Sequence, residues 1–168
     1  MNKKTRCLAV VITLALTLAT ASSWAQNTMP GRANILFTQQ DEVKAFDPAT
    51  GTGYQIGTAV GKISGTSYVA FTFTAPASDG TFTFKNVAII TDLDGDQITF
   101  ENVGRGVFHP IVQGTVGTLT GTYEVTIGTG KYASWVGNKY NYSAVATNPP
   151  ILAFGNVYAE IYSNKVKN

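Results

Sequence analysis

The chain has 168 residues, a formal charge of +2 and one cysteine. Its first 25 residues carry three of the 12 basic residues and no acidic one. A product cut after Ala25 would therefore hold nine basic against ten acidic residues over 26–168, net −1. That balance argues against nucleic acid as a partner, and losing Cys7 with the leader excludes disulfides, a thiol nucleophile and cysteine-held zinc.

The leader is read from Lys3, Lys4 and Arg6, the apolar run Leu8–Ala21, and Ser23-Trp24-Ala25 as the cleavage site. This is the pattern of a secretory signal peptide. The expected product is exported, periplasmic or secreted, with residues 26–168 as one domain and no stable membrane span once the leader is gone.

Beyond Ala25 the chain alternates apolar and polar residues with period two and shows no convincing helical periodicity. Val69, Phe71 and Phe73 oppose Ala70, Thr72 and Thr74. Phe82 and Phe84 alternate with Thr81, Thr83 and Lys85, and Ile98 and Phe100 oppose Thr99 and Glu101. Leu119, Gly121, Tyr123, Val125 and Ile127 form one face, and Tyr140, Tyr142, Ala144 and Ala146 another. Such alternation marks antiparallel strands with one dry face.

Turn residues at Asp47-Pro48, Ala75–Gly80, Asp94-Gly95-Asp96, Gly128-Thr129-Gly130 and Asn148-Pro149-Pro150 separate the runs. The expected strands are 34–38, 54–65, 67–75, 81–91, 97–104, 106–116, 118–127, 139–147 and 151–162. The fold class is all-β: an antiparallel meander closed into a single β-barrel of about eight strands.

Gly121-Thr122-Tyr123 and Gly128-Thr129-Gly130-Lys131-Tyr132-Ala133, with Gly137 behind, resemble the exported bacterial branch of the allene oxide cyclase-like and dirigent-like barrels. Gly57–Gly61, Gly65–Phe71 and the Asp94–Phe100 turn and strand fit the same pattern. The likeness covers roughly residues 54–147 and departs from it at Ser134-Trp135-Val136, where relatives carry small residues. It implies a barrel that binds a hydrophobic small molecule, as carrier or as a cyclase without metal or other cofactor. It also implies a homo-oligomer, since relatives often trimerise. It transfers no catalytic residue.

Candidate chemistry is sparse. Asp92-Leu93-Asp94-Gly95-Asp96 offers clustered carboxylates, but its glycine falls two residues early for an EF-hand and Val103 stands where the closing glutamate belongs. A hairpin turn accounts for it, so no metal is assigned. His109, the single histidine, reads as a turn residue before a strand. Gly57–Lys62 and Gly104-Arg105-Gly106 lack the following helix of a phosphate loop. Of eight tyrosines, Tyr123, Tyr140 and Tyr142 are the first candidates for lining a ligand pocket.

A barrel filled by its own aromatic side chains would argue against the carrier reading. A sizeable exposed apolar patch would favour the alternative, a non-catalytic structural or interaction domain of the envelope. A third possibility on length and alternation is an outer-membrane barrel.

Overall fold

Residues 35–111, 114–147 and 155–165 are described by the computed structural model. The proposed leader and its cleavage site lie outside them. Eight antiparallel strands run in chain order: β1 Ile35–Asp47, β2 Thr52–Gly61, β3 Gly65–Phe73, β4 Thr81–Thr91, β5 Gln97–Ile111, β6 Gly114–Gly128, β7 Lys139–Thr147 and β8 Asn156–Lys165. Each pairs with the next, and β8 returns to β1 through partners such as Phe37↔Ile161, closing the barrel. Closure removes the open edges that would otherwise invite pairing with other chains.

The dry faces meet inside. Phe37, Val69, Phe82, Phe84, Ile90, Ile98, Phe100, Tyr123, Val125 and Ile161 are all buried. Outward positions include Gln40, Glu42 and Lys44 on β1 and Thr118 and Thr120 on β6, which are exposed. The interior is mainly apolar with a few buried polar groups, among them Gln39, Asp41, Gln55 and Ser67, and the exterior is mainly polar with exposed apolar residues such as Ile56, Val60 and Val103. No helix of the described residues is long and apolar enough to cross a membrane.

Glycines fit the aromatic rings into this interior. Gly53 stands opposite Phe71, Gly104 opposite Phe84 and Gly106 opposite Phe82 on neighbouring strands. At each, an added Cβ would fall on the ring of its partner. Each ring covers the bare backbone beside it, a known way to recover packing lost at a strand glycine.

Three expectations are corrected. The expected strand 97–104 and the first part of the expected strand 106–116 are one, β5 Gln97–Ile111, because Gly104 and Gly106 accept rings rather than make a turn, while residues 114–116 already belong to β6. His109 accordingly lies within β5, 3.2 Å from Thr118 Oγ1 through Nε2. The strand 34–38 continues to Asp47. Ile127 is 57% exposed. Phe100 pairs with Val125 and Thr99 with Ile127, so Thr126 is an extra residue that reverses the alternation beyond it.

The two ends of the barrel differ. At one end the β6–β7 connection forms a 3₁₀ helix, Gly130–Trp135, which buries Tyr132. Ile63 from the β2–β3 turn is also fully buried. This helix is fastened to the β4–β5 turn. Lys131 Nζ lies 2.6 Å from Asp92 Oδ2 and 3.3 Å from Asp94 Oδ2, and the Lys131 backbone N–H donates to Asp96 Oδ2 at 3.1 Å. Asp92 Oδ1 accepts the N–H groups of Asp94 (2.9 Å) and Asp96 (3.0 Å). The carboxylate cluster is thus a turn as expected, and its cation is a lysine side chain.

Hydrogen bonding to Lys131 and to the two backbone N–H groups holds the Asp92 carboxyl below the ordinary carboxylate range. Its stabilising contribution is present above the unfolded value of 3.8 and is lost as pH falls through the lower folded value. Asp92→Asn is expected to speed amide hydrogen exchange at Asp94, Asp96 and Lys131 while leaving the centres of β4 and β5 protected. Acidification of the wild type should open the same amides. Equal protection in variant and wild type would show that this fastening is not held by charge.

Candidate functional site

The opposite end is lined by aromatic rings. Phe71, Phe73, Phe82, Phe84 and Phe108 surround a slot, with Gln55, Asn86 and Tyr142 as its polar groups. The slot has about 20 Å³ where the centre of a water-sized molecule can sit, room for about one water. Immediately outside, a cleft of about 220 Å³ lies between the β1–β2 turn (Pro48–Gly51) and the chain after β3 (Thr74–Pro76). Phe73 and Phe108 line both spaces. They are half-buried, and each contacts Phe82, Phe108 stacked at 4.2 Å and Phe73 edge-on at 5.3 Å. Phe46 follows the irregularity between Val43 and Ala45 in β1 and reaches Phe71 and Phe73 from the far side.

Below the slot sits a buried acid. Asp41, on β1, is 2% exposed. Its Oδ2 accepts hydrogen bonds from Gln39 Nε2 at 2.6 Å and Gln55 Nε2 at 2.8 Å, and its Oδ1 accepts one from Ser67 Oγ. Gln55 links the two levels, since it lines the slot and donates to Asp41. Burial pushes the Asp41 carboxyl above its ordinary value of 3.8, against the pull of these three donors. Gly57 makes the arrangement possible: an added Cβ there would strike the Gln40 carbonyl and the Asp41 carboxylate.

The three tyrosines singled out from sequence separate. Tyr142 lines the slot. Tyr123 lies deeper, fully buried and stacked between Tyr142 (4.9 Å) and Phe100 (5.1 Å). Burial raises the hydroxyl pKa of both, helped by the nearby Asp41 charge. Tyr140 points inward toward the 3₁₀ helix, 6.2 Å from Trp135. The barrel's middle is therefore packed around these rings, and beside the slot and cleft a third space of about 410 Å³ lies along β2 to β5, bordered by Phe71, Lys85, Asn86, Glu101 and Asn102.

Sequence reasoning passed over Asp41, Gln55, Ser67 and Asn86. The available signal was the continued alternation of Phe37, Gln39, Asp41 and Val43 against Thr38, Gln40, Glu42 and Lys44. Among the described residues no three of His, Cys, Asp and Glu come together in a way that could hold a metal ion. Comparison with known proteins gives no match, whether to a family model, a curated protein or a solved structure.

Proposed function

We propose that this protein is an exported barrel that binds a hydrophobic small molecule at its phenylalanine-lined end. One observation carries the reading: an apolar slot and an outer cleft share two half-buried rings, Phe73 and Phe108, above a carboxyl reached through Gln55. Turning those rings would merge the two spaces, and the merged site would present aromatic faces to a flat molecule. On this reading the ligand sits at the end of the barrel rather than in a deep chamber, because the middle is packed. A carrier needs nothing more. A cyclase would add confinement of a reactive ligand to one conformer, with Asp41 as the nearest acid. The likeness to the allene oxide cyclase-like and dirigent-like barrels supports the same reading, and the residues that resemble a secretory signal support export.

The test uses N-phenyl-1-naphthylamine, a neutral probe that brightens in apolar surroundings. Saturable binding of one probe per protomer is expected, with at least a tenfold loss in Phe108→Asp. Native mass spectrometry of the protein from its own host's exported fraction should show a releasable small-molecule mass. Absence of saturable binding, or binding indifferent to Phe108→Asp, would overturn the reading.

One feature favours the alternative of an interaction domain. Tyr54, Ile56, Tyr68 and Val87 are exposed on the neighbouring strands β2 to β4, with Tyr54 stacked on Tyr68 at 5.7 Å. On that reading the sedimentation coefficient rises with concentration in the wild type and stays constant in Tyr68→Lys.

A further inference from the structure

Asn86, half-buried overall, lines both the slot and the neighbouring space of about 410 Å³ bordered by Asn102, Lys85 and Glu101, and its side-chain oxygen is buried with no hydrogen-bond donor among the described residues. Directly across the β4–β5 ladder stands Asn102, 1% exposed, with neither side-chain amide atom partnered among the described residues. Buried carboxamides are ordinarily satisfied, because an unpaired one keeps its full desolvation penalty. Two in register, in a wall otherwise built of Phe71, Phe84 and Ala88, form a polar step that packing does not require. Leucine or valine would fill these positions and suit the strand better.

The other polar groups of the slot restrict what can meet this step. Asp41 does not line the slot and its oxygens already accept three hydrogen bonds, one of them from Gln55, so a cationic group entering the slot meets the Gln55 amide rather than a carboxylate. An anionic group would face the Asp41 charge across Gln55. No charged side chain lines the slot itself, and the space on the other side of Asn86 carries one charge of each sign, Lys85 and Glu101. What remains is a neutral group with a hydrogen to donate.

We infer that Asn86 sets ligand specificity, its side-chain oxygen accepting a hydrogen bond from a neutral hydroxyl or N–H on a flat apolar molecule. This rests on the binding function proposed above and names the ligand class. A site built to hydrogen-bond a hydroxyl discriminates against the analogue lacking it, because the site's own polar group is then left unpaired.

The experiment displaces bound N-phenyl-1-naphthylamine with 2-naphthol and with 2-methoxynaphthalene, which differ only in the donor and its methyl cap. The full chain should bind 2-naphthol at least tenfold more tightly than the ether. In Asn86→Leu that ratio should fall to within about threefold of one, with ether affinity retained. A wild-type ratio near one, or a ratio that survives in Asn86→Leu, overturns the inference and leaves the binding function standing. If neither compound displaces the probe, nor the probe itself binds, the binding function fails and the inference with it. Should Asn86→Leu not fold, the wild type still decides the matter. Its Asn86 side-chain carbonyl ¹³C resonance should shift with 2-naphthol and not with the ether, and equal shifts would overturn the assignment.

Discussion

Gly106→Val is expected to destabilise the barrel by about 3 kcal/mol, the upper range for forcing volume into a packed core. The new side chain would occupy the place of the Phe82 ring. That ring cannot swing clear, because Phe108 stacks on it at 4.2 Å and Phe73 meets its edge at 5.3 Å. Removing the obstruction tests the cause. In Gly106→Val/Phe82→Ala the two effects should be strongly non-additive, with the double variant losing less than the sum of the singles. Urea unfolding measures all four proteins of the cycle, and additive losses would mean that Gly106 serves its own backbone rather than the ring.

Asp41→Ala is expected to lose about 3 kcal/mol, since Gln39, Gln55 and Ser67 would each keep a buried donor with nothing to receive it. Asp41→Asn should behave differently, because its amide oxygen can serve Gln39 and Gln55 while its NH₂ donates to Ser67 Oγ. The wild-type carboxyl holds its proton to higher pH in the folded state than the unfolded value of 3.8. Above 3.8 the folded protein therefore binds more protons than the unfolded chain, and stability falls as pH rises through the interval up to the folded value. Subtracting the Asp41→Asn profile from the wild-type profile isolates this group from Asp92 and the surface carboxylates. The difference should decline upward from about pH 4 and then level off, leaving Asp41→Asn at least as stable as the wild type at neutral pH. A flat or rising difference would show that the three hydrogen bonds outweigh burial.

The fold was readable wherever alternation ran unbroken. Phe82 and Phe84 against Thr81, Thr83 and Lys85 face as the sequence indicates, and so do Tyr140, Tyr142, Ala144 and Ala146. It was misread where local rules conflict with the closed form. Gly104 and Gly106 look like a turn, yet their missing side chains make space for rings on the adjacent strand. The extra residue at Thr126 turns Ile127 outward without any mark in composition. The site was less legible for a related reason. Gln39 and Asp41 look like a solvated loop, and only closure of the barrel puts their face inside, against Gln55 and Ser67 from strands that follow in the chain. Tyr142 could be picked out because an aromatic residue with a polar tip is conspicuous; Asn86, between Lys85 and Val87, is not.

The unlike ends of the barrel make it a vessel with a floor. The Lys131 fastening keeps the 3₁₀ helix seated and Tyr132 buried, while the slot and cleft open at the other rim. On the binding function proposed above, the closed floor keeps a second molecule from pushing the first through the barrel. Exchange of one guest for another is then limited by departure of the first, and its rate should not depend on how much of the incoming compound is supplied.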